Sequence, residues 1–565
     1  MTTLALRHGI DLSRPLFAGL ALLLGALIGL PLFWLFVTAF TDRAGAPTLA
    51  NFRVVLTDPE FLEPLGATLV IAVAAAGAAA CVAAPIAWLV ARTDVPLRGM
   101  VRALTMASFV TPPFLGAIAW ELLAAPNSGI LNRVWRDWSG AADPLFDVYS
   151  MTGLAFVIAC YTYPFVFILV ANALDRIPAE LEDSSTILGA RAFDTARRIT
   201  VPLALPALLA GTLVAFLQAM TLFGSPAILA MPAGFHTMTT KIWSLFQFPA
   251  KPGLAAAAAI PLLLVTILLL QAQRRLLGRR GYAVVGGKYG RPRPIALGHW
   301  RWAALAACLG VLALPVFLPY AALFKAAFTR VPSEPISLAT LTLRHVDFVF
   351  FGFSQTRLAL RNTLLLGAAS ATLATALAFA VAFLTARKAI AGHRILGFLA
   401  TAPVAVPGIV LGVALFLSYA RPPIVLYGTL WILLLAYLTI ELPAAYQQLQ
   451  TAFASVNPEL EEASRILGAT RLRAIADVTA PLVRSGLIAA WCFVFIGVMR
   501  ELSAAIMLFT AATKPISVVI FDLNESGDLG AISVLGLAML LVTFAVVGVV
   551  NRLPGVRTAR PGAAT

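Results

Sequence analysis

Two charged islands of one design stand between the apolar stretches of this chain. The first runs from Pro178 to Gly189 as PAELEDSSTILG, and the second runs from Pro458 to Gly468 as PELEEASRILG. Each joins acidic side chains to small ones and ends on a glycine, a composition that suits docking of a partner better than catalysis. Repetition at one spacing weakens the alternative, an ordinary connecting loop. We call them, up to the proline that follows each, the first acidic loop (178–202) and the second acidic loop (458–481).

A second group of ionisable residues lies inside apolar stretches. Arg500 and Glu501 fall within the predicted eleventh membrane span, and Glu441 falls within the tenth. Ionisable side chains in a bilayer are costly and usually face the interior of a helix bundle in pairs. Neighbours on a helix point in different directions, so Arg500 and Glu501 should pair with groups on other spans, such as Glu441. Two interpretations stay open: a buried pair that fixes helix packing, and a gate or pathway element.

The sequence offers no other chemistry of its own. No phosphate-binding loop occurs, because the closest segment, 281–289, is one residue too long and lacks the hydroxyl that would bind magnesium. The five histidines do not cluster, and the four cysteines lie inside apolar stretches without metal-site spacing. We therefore predict no catalytic residue, no bound cofactor and no metal in this chain, and a membrane enzyme is poorly supported.

The elements that position these residues are apolar helices. The chain is 60% hydrophobic and 12% charged, whereas soluble domains carry about 25% charged residues. Runs of about 20 apolar residues are long enough to cross a bilayer. The sequence thus predicts an all-α polytopic membrane protein. The predicted spans are 16–40, 66–91, 101–124, 152–174, 201–223, 253–272, 302–328, 360–386, 395–419, 427–449, 482–511 and 530–550.

The twelve spans read as two repeats of six. Arg92 in Leu-Val-Ala-Arg matches Arg387 in Leu-Thr-Ala-Arg, and Pro112 matches Pro407. Because each repeat has an even number of spans, the repeats are parallel and both acidic loops lie on one side of the membrane. The predicted divisions are a first half, a basic cytoplasmic linker and a second half, at 1–275, 276–300 and 301–565.

The distribution of basic residues indicates which side that is. With the N-terminus inside, most of the 41 Lys and Arg residues fall in cytoplasmic loops, as the positive-inside rule requires. Both termini and both acidic loops are then cytoplasmic. The net charge of +15 is explained by topology and by contacts with anionic lipid, and nucleic-acid binding is excluded as a function.

Each acidic loop carries the signals of a short helix, a turn and a second helix. Acidic residues fall in the first turn of the predicted helix, where the helix dipole favours them. Gly189 and Gly468 fall where a left-handed residue must reverse the chain. Pro202 and Pro481 then mark the entry into the next span.

These loops resemble the EAA motif of permease subunits of bacterial ABC importers, which pairs an acidic-small-small triplet with a glycine and a later proline. The resemblance covers nearly the whole chain as two fused permease subunits and implies the type I ABC importer permease fold. It also implies two cytoplasmic ABC ATPase subunits that carry ATP and Mg, an extracytoplasmic solute-binding protein, and a location in the bacterial cytoplasmic (inner) membrane. The ATPase-coupling residues it implies are Glu182, Asp183, Ser184, Ser185, Gly189 and Pro202, with Glu461, Glu462, Ala463, Ser464, Gly468 and Pro481.

A narrower resemblance concerns the cargo. The segments after the fifth and eleventh predicted spans, including 223–229 and 500–504, look like those of fused permeases of ferric-iron importers. The expected function is therefore import of ferric iron. The same architecture serving thiamine, sulfate, phosphonate or polyamine stays open, as does a different class, an ion-coupled secondary transporter.

Overall fold

The computed structural model describes residues 13–277, 294–332, 334 and 336–552, and these contain helices and no strand. The linker 276–300 and both chain ends fall largely outside the described residues. Helices of the first half are α1 Ser13–Ala39, α2 Ala50–Thr57, α3 Pro59–Arg92, α4 Arg98–Val110, α5 Pro113–Ala124, α6 Ile130–Ser139, α7 Met151–Asp175, α8 Ala179–Ile187, α9 Ala192–Thr195, α10 Val201–Thr221, α11 Gly224–Leu229, α12 Met238–Ser244 and α13 Pro252–Leu277.

The second half repeats this order. Its helices are α14 Trp300–Leu312, α15 Leu318–Phe328, α16 Arg344–Asp347, α17 Ser354–Ala386, α18 His393–Thr401, α19 Gly408–Tyr419, α20 Leu430–Ala454, α21 Glu459–Ile466, α22 Arg471–Ala474, α23 Ala480–Leu482, α24 Arg484–Arg500, α25 Ala505–Leu508, α26 Ile516–Glu525 and α27 Leu529–Asn551. Single π-helical turns, among them Ala196–Thr200 and Ile475–Thr479, join some of them.

The predicted set of spans is confirmed. Among the described residues, nine helices are long and apolar enough to cross a membrane, and three bent helix pairs bring the number to twelve if each pair is one span. Two of the bends, 98° and 105°, fall at Pro112 and Pro407. Proline lacks an N–H donor and pushes its predecessor out of the helical conformation, so both third spans break there. Pro85, Pro164 and Pro443 instead lie inside continuous helices.

One predicted span ends earlier than its apolar stretch suggests. The sequence placed Arg500 and Glu501 inside a continuous span, 482–511, but α24 ends at Arg500 and Glu501 is extended. The Glu501 carboxylate accepts a hydrogen bond from the Ala504 N–H at 2.7 Å, so a local side-chain contact replaces the helical one. The position of the two residues within the eleventh span is thereby corrected to the end of its helix.

The chain folds as two compact units. The first unit comprises Ala39–Ser354 and Ile520–Leu537, and the second comprises Gln355–Val519 with the described residues before Ala39 and after Leu537. Helix α1 thus belongs with most of the second half, whereas α14 and α15 belong with the first half. The opening span of each repeat is exchanged between the units.

Small residues let the long helices of each unit approach closely. In the first unit, Ala76, Ala79 and Ala83 form a buried stripe on α3 in the cluster that also holds Val166 of α7. In the second unit, a Cβ at Gly367 of α17 would lie 2.9 Å from the Phe495 ring of α24. Glycine and alanine at such positions are what membrane helix packing requires, because van der Waals contact rather than the hydrophobic effect holds these helices together.

Candidate functional site

Both acidic loops have the predicted helix and turn. Helices α8 and α21 end two residues before Gly189 and Gly468, whose φ angles are +83° and +94°. In the first loop the Ala190 N–H donates to the Ser185 carbonyl at 3.1 Å, and the equivalent hydrogen bond is present in the second loop. The pattern closes the helix end and needs a left-handed residue, which only glycine adopts without strain. The predicted left-handed conformation of both glycines is confirmed.

A pair of large apolar side chains is exposed at the tip of each loop. Ile187 and Leu188 are 84% and 87% exposed, and Ile466 and Leu467 are 85% and 89% exposed. Adjacent exposed apolar residues, repeated in both loops, form a candidate docking surface.

The first acidic loop is fastened to its unit by a buried arginine, Arg92, at the end of α3. Its guanidinium forms an ion pair with Glu182 of α8 and donates from Nη1 to the carbonyls of Leu174 (3.3 Å) and Ile177 (3.4 Å). The Glu182 carboxylate also accepts a hydrogen bond from the Thr200 hydroxyl at 2.8 Å. We call Arg92, Glu182 and Thr200 the first clamp.

The second acidic loop has the same arrangement. Arg387 Nε at the end of α17 donates to Glu461 Oε1 at 2.9 Å, and its Nη1 donates to the Val456 carbonyl at 3.0 Å. The Thr479 hydroxyl donates to Glu461 Oε1 at 2.8 Å. Arg387, Glu461 and Thr479 form the second clamp. Each clamp therefore joins the acidic helix to the end of one long span and to the start of another.

Only some of the clamp residues were predicted from the sequence, and their pairing was not. The sequence indicates Glu182 and Glu461 as coupling residues and Arg92 and Arg387 as markers of the repeat, without pairing them. A usable signal was present, because an arginine and a glutamate recur together at matching positions in a chain with few charges. The structure adds that both glutamates are paired with side chains of their own unit.

The remaining predicted residues differ in exposure and position. Glu462 and Ala463 are exposed, as is Ser184, whereas Ser185 turns inward and shares a hydrogen bond of 2.9 Å with Thr195. Two of the other predicted residues lie within the acidic helices, and two lie in the helices that follow. They are Asp183 on α8, Ser464 on α21, Pro202 in the first turn of α10 and Pro481 in α23.

The intramembrane group is assembled within the second unit. Glu441 lies on α20 with its carboxylate against Gly497 of α24, and Arg500 ends the same α24. Gly497 lies one helical turn before Glu501, so the Glu441 carboxylate packs beside the turn of α24 that leads to Arg500 and Glu501. The structure thus brings together the three residues that the sequence singled out.

Two matches place the chain among membrane transport components. The family described as "Binding-protein-dependent transport system inner membrane component" matches residues 83–281 and again residues 374–554. The two matches together cover more than half of the chain, which therefore belongs to this family and carries its domain twice.

Individual relatives narrow the comparison. The chain is 27% identical over 442 residues to "Ferric transport system permease protein FbpB" of Actinobacillus pleuropneumoniae, covering 78% of this chain and 63% of the relative. It is 26% identical over 409 residues to "Putative ferric transport system permease protein FbpB 1" of Haemophilus influenzae, covering 72% of this chain and 63% of the relative. The chain thus spans 63% of the length of these relatives.

Other similarities cover one repeat. "Sulfate transport system permease protein CysT" of Escherichia coli is 27% identical over 255 residues, 44% of this chain and 88% of that protein. A solved structure of a bacterial ABC transporter for the acidic polysaccharide alginate aligns with a TM-score of 0.40 at 19% identity, over 48% of this chain and 98% of the other.

Proposed function

We propose that this chain is the permease component of an ATP-driven ABC importer and that its acidic loops receive the force of two cytoplasmic ATPase subunits. The observation that carries this proposal is the repeated combination of an exposed apolar tip with a buried clamp behind it. Such a loop offers a partner a surface to hold and passes the partner's movement to the spans at its back.

The mechanism follows from that connection. ATP and Mg bind on separate subunits, since the sequence contains no phosphate-binding loop for them. When two ATPase subunits close, each moves one acidic helix, and the clamp makes the ends of α3 or α17 move with it. The acidic loops and both chain ends are on the cytoplasmic side, as the distribution of basic residues indicates. An extracytoplasmic solute-binding protein delivers the cargo, in keeping with the family description.

The coupling role predicts an effect of the apolar tips. Leu467→Asp, and in the other loop Leu188→Asp, should leave the chain in the membrane and abolish copurification of the ATPase, because a charge would be buried in the docked interface. The matched control is Leu338→Asp, at a residue that is 94% exposed and lies far from both loops in the sequence. Undiminished copurification with both tip variants would contradict the proposal.

Ferric iron is the proposed cargo, and the ferric permease relatives support it. Thiamine and polyamine stay open, and sulfate and phosphonate are represented among the relatives. The test is uptake of radiolabelled ferric iron by cells lacking this chain, with and without the restored gene. Restored sulfate uptake without iron uptake would overturn the iron assignment. Uptake that persists on an ion gradient after loss of the ATPase would instead indicate a secondary transporter.

A further inference from the structure

The intramembrane group contains an additional polar side chain that the sequence did not single out. Tyr437 lies one turn before Glu441 on α20, is 1% exposed, and its hydroxyl has no hydrogen-bond partner. The charge of Glu501 acts on this phenol. Buried hydroxyl groups are normally paired, because an unpaired one loses its hydration without compensation. The Tyr437 hydroxyl is thus a buried polar group without a hydrogen-bond partner, one helical turn from Glu441 on α20.

The first repeat shows that the fold does not need these charges. Thr162 stands at the position of Glu441 and bonds to its own helix, at the Ile158 carbonyl (2.9 Å), and Leu222 stands at the position of Glu501. The surrounding scaffold is nevertheless the same. The Thr239 hydroxyl donates to the Leu222 carbonyl at 2.9 Å, and the Ser517 hydroxyl donates to the Glu501 carbonyl at 2.9 Å.

Because the first repeat folds with threonine and leucine at these positions, the fold itself does not require the two acidic residues of the second repeat. Buried ionised groups carry a large desolvation cost, so their presence in only one repeat calls for a role in binding. The chain thereby supplies its own comparison, within the described residues, between a charged and an uncharged version of one framework.

Two glycines let the acidic groups pack closely against neighbouring helices. Gly497 faces the Glu441 carboxylate, and a Cβ at Gly408 would lie 3.3 Å from Glu501 Oε1. Gly408 is also the first residue of α19, directly after the bend at Pro407. Glu441, Arg500 and Glu501 each keep some accessible surface, so a small ion has access to them.

The charge and the atom types of the group define what it can accept. With both carboxyl groups ionised, the group has two negative charges and one positive charge, and this net negative charge favours a cation over sulfate or phosphonate. Carboxylate and phenol oxygens are hard ligands, suited to hard cations of high charge. In the described residues no three His, Cys, Asp or Glu side chains come together as a resident metal centre. A site through which an ion passes must bind it weakly enough to release it, and a small number of protein ligands gives such weak binding.

We propose that Tyr437, Glu441 and Glu501 form an intramembrane transit site for a hard metal cation, with Arg500 as the counter-charge when no cargo is present. The site deepens the proposed function, since it rests on this chain being a permease, and it specifies a bare or partly hydrated cation as the cargo. An arriving cation binds the carboxylates, and on its departure the charge of Arg500 again compensates theirs. Only metal–oxygen coordination bonds form and break, no covalent bond of the protein changes, and the oxidation state of the metal stays the same.

The test uses the whole complex of permease, ATPase and binding protein in proteoliposomes, with radiolabelled ferric iron inside the binding protein. Glu441→Gln and Glu501→Gln should each lower uptake about tenfold, the loss typical of a charged hydrogen-bonding partner. ATP hydrolysis stimulated by the binding protein should continue. Tyr437→Phe, which removes one oxygen and keeps the ring, should lower uptake less. Thr162→Val, at the matching position of the first repeat, should leave uptake unchanged.

A second variant separates a transit site from a packing pair. The neutral triple variant Glu441→Gln, Arg500→Met, Glu501→Gln removes every charge and should assemble, yet its uptake should remain lost. Restored uptake in that variant would show a packing pair only and overturn the proposal, as would normal uptake in Glu441→Gln and Glu501→Gln. If the unaltered complex imports sulfate and no iron, the cargo assignment under the proposed function fails instead.

Discussion

The second clamp gives a quantitative prediction. Replacing Arg387 by alanine leaves the Glu461 carboxylate buried with one hydroxyl partner, Thr479, and leaves the Val456 carbonyl without its donor. Removing one partner of a buried ion pair costs about 3–5 kcal/mol. Since about 1.4 kcal/mol is a tenfold change in an equilibrium, the seated position of the loop should lose roughly a hundredfold or more in population relative to the released one.

The consequence should be confined to the loop and its coupling. In Arg387→Ala, amide hydrogen exchange over α21 should accelerate by at least about a hundredfold while exchange in the middle of α20 stays slow. ATP hydrolysis should continue without transport, because the ATPase then moves a loop that no longer moves α17. The assays are hydrogen exchange of the purified chain and the ratio of cargo imported to ATP hydrolysed by the reconstituted complex.

A control variant on the same loop and a rescue variant test whether the buried ion pair causes the effect of Arg387→Ala. Arg473 and Asp477 form an exposed pair at 3.4 Å on the same loop, so Arg473→Ala should change stability by less than about 1 kcal/mol. Combining Arg387→Met with Glu461→Gln removes the uncompensated charge and should recover part of the loss. Equal effects of Arg387→Ala and Arg473→Ala, or a double variant as impaired as the single one, would refute the clamp.

The sequence predicted what local chemistry determines. Apolar run length predicted the spans, and the position of Gly189 and Gly468 after an acidic helix predicted their left-handed conformation. The pairing of Arg92 with Glu182 could not be predicted in the same way, because it joins residues that only the packing of α3 against α7 brings together. Prolines show a similar limit. Pro112 breaks its span and Pro164 does not, and residue type alone does not distinguish them.

Three further predictions follow from single positions. Gly468→Val should leave membrane insertion intact and weaken ATPase copurification, since a Cβ there meets no atom within 4 Å but the left-handed backbone costs about 1–2 kcal/mol; Gly468→Asn should be milder. Gly497→Ala should impair uptake without loss of ATPase copurification, because its methyl group would displace the Glu441 carboxylate. Asn132→Ala should accelerate proteolysis of residues 127–150 by loosening α6. The buried Asn132 amide donates to the Ala125 carbonyl at 3.0 Å and to the Phe146 carbonyl at 2.7 Å, and loss of these hydrogen bonds costs about 1–3 kcal/mol. Cleavage of the variant at the wild-type rate would count against this prediction.

The central claim, that both acidic loops dock on the ATPase through their apolar tips, is tested most directly by photo-crosslinking. A photoreactive amino acid is placed at position 188, at position 467, or at the exposed position 338 as a control, and the complex is irradiated in membranes with and without ATP. We predict crosslinks to the ATPase from positions 188 and 467, changed in yield by ATP, and none from position 338. No crosslink from either loop, with the ATPase present in the complex, would contradict the account.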